Sequence, residues 1–208
     1  MKRILILGAS GTFGKALVEK LSNDEECHLT LASRHASACY PESERCHVVD
    51  CDAMKADDLQ EAMTGCHMVY CAVSGDNLPI IVENMVSAMK KAGLRRIIFM
   101  GAVGIYDEIP ADMDDEDNVK NNPEQVPNRK AADIVEDSGL DYTILRPGYL
   151  QEGDKDDFTL TFKGEQAKGY VSTIPSVVGL AVRLIHDDTL YVRQSVSITR
   201  DMSDTEKL

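Results

Sequence analysis

Short apolar runs alternate with longer amphipathic stretches along most of this chain. The runs are Ile4 to Leu7, Leu29 to Ala32, His47 to Val49, Met68 to Val73, Ile97 to Met100 and Tyr142 to Leu145. Each is rich in branched residues and bounded by turn or polar residues, the pattern of strands buried on both faces of a parallel sheet. Between them the spacing predicts helices over Thr12 to Leu21, Ala56 to Met63, Leu78 to Ala92 and Gln125 to Ser138. In the third, Ile81, Val82, Met85, Val86 and Met89 form one stripe that faces a sheet, and Gly93 stops the helix. Strand and helix alternation of this kind builds an α/β fold, a Rossmann-like doubly wound parallel sheet with helices on both faces.

After Leu150 the pattern changes. "FTLTF" from Phe158 to Phe162 alternates as an antiparallel strand does, Gly164 and Gly169 bracket a turn, Ile174 to Ile185 reads as a helix and Tyr191 to Ile198 as a last strand. This stretch is too short for a core of its own. The 208 residues therefore read as one domain, with a core over 1–150 and a small extension over 151–208 on the substrate side.

Composition narrows the function classes. A formal net charge of -13 argues against a nucleic-acid partner and against membrane surfaces, since a polyanion is repelled over most of such a protein. No apolar run approaches the ~20 residues that span a bilayer, and the start of the chain shows no cleavage signal, so a cytoplasmic location is expected. The acidic run from Asp107 to Asn118 reads as a solvated loop without a catalytic role. Six cysteines form no CxxC pair and sit in or beside apolar runs; reduced, small core residues are expected. Three adjacent Cys-His pairs, at Cys27, Cys46 and Cys66, fall where strands begin, and this repeated context explains them without a metal.

The most informative stretch is "ILILGASGTFGKAL", Ile4 to Leu17, where a strand runs into a loop with glycine at every third position. Gly8 permits a tight turn, Gly11 lets backbone approach a pyrophosphate, and Gly14 lets the following helix pack closely on the strand. The helix start at Thr12, Phe13 and Gly14 offers free N–H groups and a positive dipole, and Ser10 and Thr12 add hydroxyl donors. A dinucleotide is the expected ligand. At the end of the second strand, where an NAD-selective site places an acid, stand Ser33 and Arg34. Arg34 suits a 2′-phosphate, so NADP(H) is preferred and NAD(H) remains possible.

With these residues in view the chain resembles the atypical short-chain dehydrogenase/reductases of the NmrA-like group, which includes small flavin and biliverdin reductases. The quotable parts are "GASGTFG" at 8–14, "ASR" at 32–34, "VVDCDAMKADDL" at 48–59, "VYCAVSG" at 69–75, "GAVGIYDEIP" at 101–110 and "YTILRPGYL" at 142–150. The resemblance implies that Asp52 and Ala53 lie beside the adenine. It likewise implies that Cys71, Ala72 and Val73 line the pocket beside the adenine ribose and pyrophosphate, and that Pro147, Gly148 and Tyr149 pass near the nicotinamide. The strand-end serine of catalytic members is replaced by Gly101-Ala102, counted here with the cofactor site, and Val126 of "VPNRK" stands where the phenol belongs. Lys130 of that motif is retained and can hold the nicotinamide ribose, while Tyr106 is the candidate substitute for the missing proton donor.

Three functions follow. A reductase passes hydride from NADPH to a small acceptor, such as a flavin or quinone, that needs no protein acid. A non-catalytic NADP(H)-binding regulator or redox sensor is the alternative, favoured by the missing serine and tyrosine. A sugar-nucleotide epimerase or dehydratase fits worst, since it needs the tyrosine and a longer substrate domain. The chain is expected to work as a monomer or homodimer.

Overall fold

The computed structural model describes residues 1–113, 115–154 and 156–200. In chain order the elements are β1 (Lys2–Leu7), α1 (Thr12–Leu21), β2 (Cys27–Ser33), the single turn α2 (Ala36–Cys39), β3 (Cys46–Asp50), α3 (Ala56–Ala62), β4 (Met68–Cys71), α4 (Leu78–Lys91) and β5 (Arg96–Met100). After a long loop come α5 (Val126–Asp137), β6 (Asp141–Pro147), the two-residue β7 (Tyr149–Leu150), β8 (Thr159–Phe162), β9 (Val171–Ser172), α6 (Ile174–His186) and β10 (Gln194–Thr199).

Eight strands form one sheet in the order β3-β2-β1-β4-β5-β6-β10-β8, all parallel except β8, which pairs antiparallel with β10. The order reverses between β1 and β4, because the chain crosses from the β3 edge back past β1. At such a reversal the connections leave in opposite directions and open a crevice at the carboxyl ends of the strands.

Period-two alternation splits β1 between the two faces. Leu5 and Leu7 pack under α3, α4 and α5, while Ile4 and Ile6 pack under α1 and α6. All four side chains are removed from water, and such burial stabilises by roughly 1.5–3 kcal/mol per side chain. The stripe on α4 faces the sheet as its spacing requires, with Ile81, Val82, Met85, Val86 and Met89 buried. The strands and helix past Leu150 share this architecture: β10 and β8 extend the same sheet and α6 packs on α1.

Several boundaries differ from the sequence expectation. The strand expected over Met68–Val73 ends at Cys71, and the residues beyond it leave the sheet. The last strand begins at Gln194 rather than Tyr191, since Tyr191 and Arg193 adopt φ of 50° and 57° and turn the chain before it pairs with β6. The short β7–β9 pairing and α2 have no periodic signal long enough to be legible.

The acidic run is the clearest correction. It folds into 3-10 turns at Ala111–Met113 and Asp115–Asp117, Asp114 lying outside the described residues; Asp107, Asp112, Glu116 and Asp117 are exposed as a solvated loop requires, but the run is also anchored from within. Glu108 is buried and ion-paired with the fully buried Arg146 of β6. Asn118, also buried, accepts from Ile109 N–H at 3.0 Å and donates to its carbonyl at 2.8 Å. A charge inside a protein needs a partner, and Arg146 on the strand supplies it. Of the cysteines, Cys27, Cys51, Cys66 and Cys71 are buried, Cys46 is half-buried and Cys39 is exposed; all six are free thiols.

Candidate dinucleotide-binding site

The crevice at the strand reversal is a cleft of about 400 Å³. Its floor is the β1–α1 turn, and its walls are the segments that follow β2, β3 and β4, contributing Ser33, Arg34 and His35, then Asp52, Ala53 and Met54, then Ala72 to Asn77. Gly8 turns with φ of +89°, and a Cβ there would sit 2.8 Å from the Ala72 carbonyl. At Gly14 a Cβ would collide with the Gly8 carbonyl at 2.2 Å, so only glycine lets α1 approach the turn this closely. The Tyr40 hydroxyl, which sequence reasoning missed, donates to the Ala9 carbonyl at 2.7 Å and pins the loop from the α2 side.

Helix α1 begins at this floor. Its cap residue Gly11 provides no side-chain hydrogen bond, leaving the first-turn N–H groups of Thr12, Phe13 and Gly14 unsatisfied by any capping side chain. A helix start in that condition is an anion site by construction. Ser10 and Gly11 line the cleft; Thr12 is exposed and Phe13 packs sideways into the α1–α6 core.

At the end of β2 the Ser33 hydroxyl is buried and has no hydrogen-bond partner among the described residues. Arg34 beside it is exposed, and among the described residues no carboxylate lies within ion-pair distance of its guanidinium. The turn that carries both is fixed from behind, where Asp50 accepts from Ser37 N–H at 2.9 Å and from its hydroxyl at 2.6 Å. Asp52 lines the cleft, and its Oδ1 accepts the Met54 N–H at 3.1 Å. These features fit a dinucleotide: N–H groups for a diphosphate, a free cation for a ribose phosphate, and a carboxylate oxygen for an amino group.

Other sequence candidates lie elsewhere. Cys71 is wholly buried, with its side chain in the core under α4, and only its neighbours Ala72 and Val73 reach the cleft. Burial pushes its thiol up to about 11. Gly101 and Ala102 follow β5, and Gly101 N–H donates to the Leu145 carbonyl at 2.8 Å. Pro147 is buried and its carbonyl accepts from Val103 N–H at 2.9 Å, while Gly148 N–H donates to Ser172 Oγ at 2.8 Å. None of these four lines the cleft. Tyr149 is 68% exposed beside them.

Tyr106 and Lys130 do not meet. The Tyr106 hydroxyl donates at 3.0 Å to Glu136 in the last turn of α5, at the end of the helix that leads into the start of β6. Its ring lies under three cations, with Lys163 at 4.5 Å, Arg129 at 4.9 Å and Arg146 at 5.1 Å from the centroid. Burial raises the phenol well above its ordinary value and Glu136 opposes ionisation further. Lys130 is exposed on α5. The hairpin around Gly164 folds against Tyr106 through Lys163 rather than across the cleft. His35, Met54 and the run Ser74 to Asn77 line the cleft without having been anticipated; a polar run between a strand and a helix was their only signal.

A sequence profile of an NAD(P)H-binding family matches residues 8–188. The chain belongs to that family. This NAD(P)H-binding protein is also similar to solved structures along its whole length. A Rossmann-fold NAD(P)-binding family protein from Shigella flexneri is 29% identical, with TM-score 0.85, covering 100% of this chain and 98% of the other. A short-chain dehydrogenase/reductase from Veillonella parvula, solved in complex with NADP, is 25% identical with TM-score 0.87 and the same coverage. ChuY, an anaerobillin reductase from Escherichia coli O157:H7, shares the fold at 20% identity and TM-score 0.81, each chain covered in full. The comparison with curated proteins returns no match. Among the described residues no helix is long and apolar enough to cross a membrane.

Proposed function

We propose that this NAD(P)H-binding protein is an NADPH-dependent reductase that passes hydride to a planar acceptor of the flavin or quinone type without a protein proton donor. The observation that carries the reading is the division of labour along the carboxyl edge. The cleft collects every group an NADP(H) adenosine diphosphate needs, while the only phenol in the candidate catalytic set is committed to Glu136. An acceptor that takes its proton from solvent asks only for a positioned cofactor. The open flank at Tyr149, 68% exposed, with its neighbour Leu150 37% exposed, offers an apolar edge for such a ring system.

The NADP preference rests on Arg34, free to meet a 2′-phosphate bidentately, with Ser33 adjoining it. The NADP complex of the Veillonella parvula relative supports that reading. Bound NADP(H) supplies the hydride; Gly8 to Gly14 hold its diphosphate and Asp52 faces its adenine.

The test is NADPH consumption, followed as loss of the reduced-nicotinamide absorbance, with free flavin or a quinone added. Acceptor-dependent oxidation that is unchanged in Tyr106→Phe supports a reductase without a phenol acid. Tight NADPH binding with no oxidation by either acceptor class favours the regulator, and a large loss in Tyr106→Phe overturns the acid-free mechanism.

A further inference from the structure

At the opposite end of the sheet, where β2 begins, two neighbouring residues meet one from a distant part of the chain. A carboxylate oxygen of Asp24, the Cys27 sulfur and an imidazole nitrogen of His186 all lie within 4.8 Å of one another. His186 Nε2 is 2.8 Å from Asp24 Oδ2, and its other nitrogen, Nδ1, is 3.4 Å from Glu26 Oε2. The buried Cys27 closes the inner side, while His186 and Glu26 face solvent.

The frame around this cluster is held from three elements. Asp24 Oδ1 accepts the Glu26 N–H at 2.9 Å, which aims Oδ2 at His186. Cys27 N–H donates to the Asp24 carbonyl at 3.2 Å, and Lys2 N–H to the Glu26 carbonyl at 2.7 Å. The Lys2 ammonium then reaches the end of α6, donating to the carbonyls of Ile185 and His186 at 2.7 and 3.0 Å. The turn before β2 and the last turn of α6 are therefore fixed relative to each other before any ligand arrives.

We propose that Asp24, Cys27 and His186 bind a divalent transition metal, zinc by their donor chemistry, with Glu26 as the outer carboxylate that orients His186 through Nδ1–H. Thiolate, imidazole and carboxylate are the zinc donor types, whereas calcium and magnesium take oxygen alone. Bonds of about 2.0–2.3 Å to one ion ask for neighbouring donors roughly 3–4 Å apart, a spacing that donors already within 4.8 Å of one another reach by small side-chain rotations. A carboxylate on the far imidazole nitrogen is the usual companion of a metal-bound histidine, and Glu26 occupies that place. With three protein ligands the fourth position opens toward solvent and takes water.

On binding, the Cys27 S–H proton and the His186 Nε2–H proton held by Asp24 both leave to solvent as the metal–sulfur and metal–nitrogen bonds form, and Asp24 turns its freed oxygen to the ion; nothing is oxidised or reduced. Neither His28 nor the other Cys-His pairs take part. The ion cross-links the start of β2 to the C-terminal turn of α6, far from the cofactor cleft, so the proposal is independent of the reductase reading.

The experiment uses the full chain, stripped with chelator and titrated with cobalt(II) and with zinc against a chromophoric competitor. One ion per chain, a thiolate-to-cobalt charge-transfer band, and a rise in Tm with zinc are expected. Cys27→Ser abolishes the band, His186→Ala abolishes the zinc-dependent rise in Tm, and Glu26→Gln weakens affinity about tenfold. Cys39→Ser, at an exposed thiol, changes nothing. His186 is a surface residue at a helix end, so its variant folds and serves as the control against simple unfolding. A missing thiolate band, a band that survives Cys27→Ser, or a zinc-dependent Tm rise that persists in His186→Ala overturns the proposal.

Discussion

Glu108, in the long loop after β5, and Arg34, directly after β2, both belong to segments that leave the carboxyl edge of the sheet, and they are treated in opposite ways. Glu108 is buried, holding Arg146 with one oxygen and the Tyr106 N–H at 2.8 Å with the other. Arg34 is exposed and without an ion-pair partner among the described residues, and its neighbour Ser33 carries a buried hydroxyl with none either. The half built from β5 to β10 spends its charges on holding a loop. The half built from β1 to β4 leaves its donors facing a cleft. Unsatisfied, preorganised polar groups mark the region that meets a ligand, and satisfied ones mark scaffold, even where both lie in family-like motifs.

Breaking the scaffold side gives the largest effect. Glu108→Ala leaves the Arg146 guanidinium buried, with the Thr161 and Ser195 carbonyls at 3.3 and 3.4 Å and the Tyr106 ring beside it but its carboxylate partner gone. Stability in urea falls by about 3–5 kcal/mol, the usual cost of an orphaned buried charge, while NADPH affinity of the folded protein is unchanged. A loss below ~1 kcal/mol would show that the loop is not held by this pair.

On the ligand side, Arg34→Ala removes charge-assisted hydrogen bonds to a 2′-phosphate. Calorimetry then shows NADPH binding weakened by roughly 1–3 kcal/mol and NADH binding nearly unaltered, with thermal stability intact. Equal losses for both nucleotides would remove the 2′-phosphate from the account.

Tyr106→Phe is the mildest. It deletes the hydrogen bond to Glu136 but keeps the ring under its cations, and Glu136 retains Lys163 at 2.6 Å. About 1 kcal/mol of stability is lost. Because the raised phenol stays protonated through the neutral range, the pH profile of NADPH oxidation is the same in both proteins; a shifted profile would return Tyr106 to the chemistry.

Local patterns explain what was legible from sequence. The glycine loop, the alternation of strand and helix and the stripe on α4 each depend on residues within a few positions of one another, so spacing alone exposes them. The Glu108–Arg146 pair joins residues 38 apart, and nothing near either one announces it. The acidic character of the run from Asp107 correctly marks a loop but hides that one of its carboxylates turns inward. The orientation of Tyr106 was hidden for the same reason: its distance from a strand end is readable, but its hydroxyl donates to Glu136, thirty residues on. The cluster of Asp24, Cys27 and His186 joins the turn before β2 and its first residue to the end of the last helix, a proximity that the packing of α6 on α1 creates.

The most direct test of the central claim is amide hydrogen exchange across the chain with and without saturating NADPH. The account predicts slowed exchange at Gly11 to Gly14, with further protection at 33–35, 52–54 and 72–77, the segments that line the cleft. Protection absent from the glycine loop, or confined to the buried loop around Glu108, would contradict it.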